Sequence, residues 1–377
     1  MTTPPILVRS SILTVVYALF ACVPDQPLRE PGAGGEATFQ VAAGQERTAD
    51  PREVHLSNIR QLTFEGENAE AYFSFDGKRL SFQRTGAEGG CDQIYTLDLA
   101  TGDTVRVSNG TGRTTCAYFY PSGDQLLYAS THQHDPSCPA RPDFSRGYVW
   151  PVYPSYDIFV ADASGTILNQ LTDSPGYDAE ATISPKGDRI VFTSARDDDL
   201  ELYTMALDGS DVRRITHRLG YDGGAFFSPD GSKIVWRAQY PETPADQAEY
   251  RSLLADGLIR PTVLELWVAD ADGSNAREIT HYGAGSFAPS FHPSGEKIVF
   301  SSNLDDSAGR EFDIYMIGVD GTGLERITWT GGFDGFPMFS PDGRHLAFGS
   351  NRNESHSGNT NVFVADWVEI SEVGTGD

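Results

Sequence analysis

Ser74-Phe75-Asp76-Gly77, Tyr120-Pro121-Ser122-Gly123, Ser184-Pro185-Lys186-Gly187, Ser228-Pro229-Asp230-Gly231, His292-Pro293-Ser294-Gly295 and Ser340-Pro341-Asp342-Gly343 are six copies of one short turn. Proline pre-sets φ at the second turn position, and glycine accepts the left-handed conformation that ends the turn. A β-rich run follows each copy: Arg79 to Arg84, Gln125 to Ser130, Arg189 to Ser194, Lys233 to Ala238, Lys297 to Ser302 and His345 to Ser350. The pattern predicts six hairpins. The four lysines (78, 186, 233, 297) all fall within two residues of the turn glycines, as expected of solvent-exposed hairpin ends.

Outward from each hairpin lies a third strand: Gln93 to Leu99, Asp157 to Asp162, Glu201 to Leu207, Glu265 to Asp270, Asp313 to Val319 and Asn361 to Asp366. A Gly-containing turn and a fourth strand ending in a hydroxyl come next: Val105 to Ser108, Ile167 to Thr172, Val212 to Thr216, Arg277 to Thr280 and Glu325 to Thr328. The sixth repeat stops at its third strand, and Ile59-Arg60-Gln61-Leu62-Thr63, ahead of the first repeat, matches the missing fourth. The fold class expected is therefore all-β: a six-bladed β-propeller of four-stranded antiparallel blades, closed by an N-terminal strand joining the last blade, which leaves few open sheet edges. These repeats resemble the WD-repeat-like propellers of the TolB family, periplasmic components of the Tol-Pal envelope system, and those of tricorn-type proteases. The resemblance covers roughly residues 57 to 368. It implies a propeller without the N-terminal α/β domain that TolB carries, because the segment ahead of the repeats leaves no room for one.

The chain has 377 residues and a formal net charge of −25, so it lacks the dense basic surface that nucleic-acid binding needs. Hydrophobic content of 39%, with 21 Phe, 16 Tyr and 5 Trp, is enough for a sizeable core. Residues 1–22 read as a signal peptide: Arg9, an apolar run from Ile12 to Phe20 too short for a span of about 20 residues, then Ala21 and Cys22. Leu19-Phe20-Ala21-Cys22 resembles a lipobox, which marks Cys22 for lipidation and makes a lipid anchor the expected link to a membrane. Residues 23–52, rich in Pro, Gly, Ala and Glu, read as a flexible tether, 53–370 as the propeller and 371–377 as a tail. The expected address is the periplasm or outer membrane.

Measured between turn glycines, the repeats are 46, 64, 44, 64 and 48 residues long. The two long ones hold insertions between strands two and three, at about 131–156 and 239–262, on the face where blade-joining loops lie. That is the candidate binding face. The first insertion carries His132, His134, Arg146, Tyr148 and Trp150. Its aromatics either pack the loop onto its blade, the reading favoured, or stack on a sugar or clamp a peptide. The two histidines alternate as metal ligands can, although spacing provides no third ligand. Thr243 to Ile259 in the second insertion reads as a helix, with Thr243 as cap and Pro244 in the first turn.

Aligning the repeats on the turn glycine shows two rings. Nine residues upstream are Asn68, Thr114, Asp178, Asp222, Ser286 and Asp334; seven upstream are Glu70, Cys116, Glu180, Gly224, Ala288 and Phe336. Oxygens converging at the channel mouth, with Asp178, Asp222 and Asp334 foremost, would suit Ca2+ or a polar ligand. The favoured alternative is that each side chain satisfies backbone donors in its own loop. With Cys22 lipidated, a disulfide is expected between Cys116 and either Cys138 or Cys91. No G-x-S-x-G elbow or phosphate loop occurs. The function expected is a non-catalytic binding or scaffold module for an envelope protein, peptide or polysaccharide; the rival is a metal-dependent hydrolase or lyase at the channel mouth.

Overall fold

The first residue of the repeated turn locks it. In the first copy Ser74 Oγ donates to Asp76 Oδ1 (2.6 Å) and accepts from the Arg79 amide (3.0 Å). Ser228 and Ser340 do the same with Asp230 and Asp342. A computed structural model describes residues 39–86, 89–306, 308–352 and 359–370. In it each turn joins the first two strands of an antiparallel sheet, and there are six such blades. Their first strands begin at Glu67, Thr114, Asp178, Tyr221, Ser286 and Asp334. Neighbouring first strands pack on one another all the way round, the sixth on the first, so they form the innermost ring.

Within each blade, strands two and three are stitched by an aromatic pair in direct register: Phe82 with Tyr95, Tyr128 with Phe159, Phe192 with Tyr203, Trp236 with Trp267, Phe300 with Tyr315 and Phe348 with Phe363. The strand-two member is at most 1% exposed in every blade. Such cross-strand pairs contribute about 0.2–1 kcal/mol each beyond alanine.

The hydroxyl that ends each fourth strand accepts the amide of the second residue of strand three. Ser108 takes Ile94, Thr172 takes Ile158, Thr216 takes Leu202, Thr280 takes Leu266 and Thr328 takes Ile314, all at 2.8–2.9 Å. In the sixth blade the acceptor is Thr63, on Val362 (2.9 Å). Leu56–Gln61 pairs antiparallel with Asn361–Trp367, so the N-terminal strand closes the ring as expected.

Two features go beyond that expectation. Gln45–Glu46 adds a fifth strand outside the closing one, and the Ala42 and Ala43 amides both donate to Leu99 O (3.0 Å), so docking begins well before residue 52. The free tether expected to run to 52 is therefore too long, because the closing strand leaves an open edge that this segment covers. The second insertion is helical only over Pro244–Ala255, capped by Thr243 in a reciprocal box with Asp246. Leu258–Ile259, expected inside that helix, instead pairs with Trp150–Pro151 of the first insertion. The expected signal segment with Cys22 and the tail from 371 lie outside the described residues.

Candidate functional site

Every first strand carries a bulge, with one extra residue against its partner, as between Ala69/Tyr72 and Gln83/Ser81 in blade one. The extra residue is the one seven before the turn glycine. Glu70, Cys116, Glu180, Gly224, Ala288 and Phe336 all have φ between 49° and 60°. Non-glycine residues enter this left-handed region at a cost, and bulges re-aim side chains. All six line a void of about 20 Å3 on the propeller axis, together with Tyr72, Thr182, Phe226 and Arg237.

Above it opens a cavity of about 910 Å3, and Glu70, Glu180, Arg237 and Phe336 line both spaces, so these four form its floor. Tyr177, Tyr221, Phe287, Phe312 and Phe333 supply aromatic wall from blades three to six. The joined insertions roof one side with Trp150, Tyr153, Tyr156 and Ile259. Arg146 ties this roof to Asp256 and donates no side-chain bond to the cavity floor; its backbone oxygen receives Arg260 (3.0 Å).

Charge on the floor is organised around Arg237. Its guanidinium pairs with Glu180 and donates to Tyr221 OH (3.0 Å), with Trp150 stacked 5.4 Å away. Glu180 Oε2 also accepts the Gly224 amide (2.9 Å) and Thr193 Oγ1 (2.8 Å). Blade four needs glycine at its bulge for this arrangement, since a Cβ on Gly224 would lie 1.9 Å from an Arg237 nitrogen. Glu70 differs from Glu180. Its Oε2 is shut away from solvent with no hydrogen-bond partner among the described residues, and burial pushes its carboxyl up to about 7, against the pull of Cys116 and Arg237.

The ring nine residues upstream does not face the channel mouth as a donor set. Asn68 donates to Glu65 O (3.0 Å), Thr114 to Asp92 O (2.9 Å), and Ser286 shares a bond with Ser302 (3.1 Å). Asp178 takes Ser174 and both bonds of Arg196, Asp222 takes Trp236 Nε1 (2.6 Å) and Tyr240, and Asp334 takes Thr330, Ser350 and Arg352. Asp178 and Asp334 are thus each bound to an arginine of their own blade, and Asp222 to Trp236 and Tyr240 through Oδ1 while its Oδ2 is buried without a hydrogen-bond partner among the described residues, where no group of three His, Cys, Asp or Glu comes together. The insertion histidines also stay apart from the cavity. His132 packs on Phe159 (4.4 Å) and bonds Ser130, burial lowering its pKa, while His134 lies 3.6 Å from Asp157. Tyr148 is 60% exposed on the rim and receives Trp150 Nε1 (3.0 Å).

The disulfide joins Cys91 to Cys138, and Cys116 is a free thiol, so both expected pairings are corrected. The bulge turns Cys116 into the channel, whereas Cys91 and Cys138 meet outside it. Burial raises the Cys116 pKa. Arg237, missed in the sequence, is the one charged residue six after a turn glycine, where other blades have Gln83, Ala129, Thr193, Ser301 and Gly349.

Asp222 gives a pH test of this assignment. Burial pushes its carboxyl up to about 8, so the fold favours the protonated form. The stability this contributes is present below the unfolded pKa near 4 and is lost as pH rises towards 8. Asp222→Asn keeps an oxygen acceptor for Trp236 and Tyr240. Its melting temperature should exceed wild type at pH 8 and converge with it by pH 4; a gap that does not change with pH would count against the buried-acid account.

This architecture is that of a six-bladed β-propeller of four-stranded blades. Residues 153–247 match the model of the TolB beta propeller domain family. The chain is similar in fold to a TolB-type protein from Agrobacterium tumefaciens, with 21% identity and TM-score 0.53, over 81% of this chain and 91% of that one. It is also similar to TolB from Acinetobacter baumannii, with 18% identity and TM-score 0.52, over 71% of this chain and 55% of that one. An oligogalacturonate lyase from Vibrio parahaemolyticus shares the fold at 13% identity and TM-score 0.50, over 86% and 98%.

Proposed function

We propose that the chain is an exported envelope module whose channel mouth holds a segment of a partner protein, and that it does no chemistry of its own. The observation that carries this is the cavity itself. Two insertions from different blades converge, pair, and roof an aromatic-walled space of about 910 Å3 on one face, within the usual range for specific binding pockets of about 300–1,000 Å3. The signal-like N-terminus and the Cys91–Cys138 disulfide both suit an oxidising compartment outside the cytoplasm. Anchoring through lipidated Cys22 would hold the propeller at a membrane. The metal-dependent hydrolase or lyase alternative would need a donor cluster at the mouth; of the aspartates read as its ligands, Asp178 and Asp334 are ion-paired to arginines and Asp222 is bonded to Trp236 and Tyr240.

Tyr148, on the cavity lining, and Phe144, in the same insertion, are 60% and 57% exposed, so their removal should leave the fold intact. Phe144→Ala/Tyr148→Ala is expected to melt within a degree or two of wild type, since exposed truncations usually cost under about 0.5 kcal/mol. The same variant should lose most of the partner that co-purifies with wild type from the native envelope. Full retention of that partner by the double variant would oppose a mouth-centred site.

A further inference from the structure

The mouth cavity is lined by three carboxylates, Glu70, Asp92 and Glu180, and three arginines, Arg113, Arg237 and Arg310, and two of the carboxylates are held in ion pairs. Glu180 is matched by Arg237, and on the wall Asp92 is matched by Arg113 (3.0 Å). Among the described residues Glu70 has no cation in ion-pair contact, and its Oε2 has no donor. A buried carboxylate oxygen without a partner is costly, and native proteins retain such groups where something else completes them. The surroundings suit a cation: Trp150, Tyr177, Tyr221 and Phe336 present rings around the same cavity, and aromatic faces attract ammonium and guanidinium groups. The chain as a whole carries −25, a field that draws basic partners and repels acidic ones.

We propose that Glu70 is the receptor for a cationic side chain, lysine or arginine, carried by the segment that enters the channel mouth. This rests on the reading of the mouth as a binding site and adds the chemistry of its occupant. An ammonium or guanidinium lowered into the cavity meets the Glu70 side chain of blade one at the floor, where rotation of the carboxyl brings its closed-off Oε2 to the cation, beside the Glu180–Arg237 pair of blades three and four. Arg237 stays with Glu180 and Tyr221, so the incoming cation does not compete for it. The geometry also makes occupancy proton-linked. In the empty cavity burial holds Glu70 near 7, with Cys116 and Arg237 pulling down and Glu180 and Asp92 pushing up. A bound cation favours the ionised form, so affinity should be full above pH 8 and fall about tenfold by pH 6.

The test uses the full chain and three small probes in ligand-detected NMR titrations: N-acetyl-lysine amide, N-acetyl-arginine amide and the uncharged N-acetyl-norleucine amide. On wild type at pH 8 at least one cationic probe should bind roughly tenfold more tightly than norleucine amide, a preference of the size one well-placed charge contact supplies. Glu70→Gln should abolish that preference while binding norleucine amide as wild type does. The pH series on unmodified protein repeats the test without a variant. Equal binding of charged and uncharged probes, or no binding of either cation, overturns the proposal; norleucine amide binding without cation preference overturns it while leaving the mouth as a binding site.

Discussion

Arg352→Ala should cost about 3–5 kcal/mol, the range for removing one member of a buried ion pair and stranding the others. Arg352 is 3% exposed and Glu53 is 2% exposed. The guanidinium donates to both Glu53 oxygens (3.1 Å each) and to Asp334 Oδ2 (2.9 Å), with its Nε on Ser350 Oγ (3.0 Å) and its plane over Phe348. Glu53 precedes the closing strand and also accepts the Trp329 amide (3.1 Å), so this triad latches the N-terminal segment to the last two blades. A triple variant, Glu53→Gln/Asp334→Asn/Arg352→Met, removes all three charges together and should recover much of the loss. Urea unfolding of the single and triple variants checks this, and a single variant within about 1 kcal/mol of wild type would show the latch to be energetically idle.

Deleting Ser57 to Phe64 should be more damaging still. It removes the strand that pairs with Asn361–Trp367, the Thr63 hydroxyl bond to Val362, and Ile59, which is 1% exposed in the core of the last blade. The exposed edge of a long buried strand is an aggregation template as well as a lost sheet. The truncated chain is expected to lose cooperative unfolding or melt far below wild type. Deleting residues 23–38, ahead of the docked segment, should leave the melting temperature of the propeller unchanged. Similar behaviour of the two deletions would contradict closure by the N-terminal strand.

Much of this fold was legible because propeller repeats write their turns in proline and glycine. The hydroxyl at the end of each fourth strand, including Thr63, was also visible before its role was known; it caps the second amide of strand three in every blade. The site was less legible because the bulge breaks the two-residue alternation of strand one. Simple alternation would put Asp178 and Glu180 on one face, yet Asp178 turns to Arg196 and Glu180 turns to the channel. The partners of the aspartates lie nine residues after the same glycine, as Arg196, Tyr240 and Arg352, a symmetry about the hairpin turn that the upstream alignment did not use. The cysteine pairing depended on the path of a long insertion, which no local pattern encodes. Likewise, Leu258–Ile259 continues an apolar stripe in sequence, but Gly257, at φ 69°, ends the helix before it and frees the pair for the strand with Trp150–Pro151.

The central claim is that the partner occupies the channel mouth and not the hairpin face. Site-specific photo-crosslinking in the native envelope separates these directly, with a benzophenone side chain placed at Tyr148 or Tyr153 on the mouth lining and at Ser122 or Asp342 on the hairpin turns. The account expects one discrete adduct from the mouth positions, reduced by an excess of lysine-containing peptide, and none from the turns. An adduct from the turn positions with none from the mouth would contradict it.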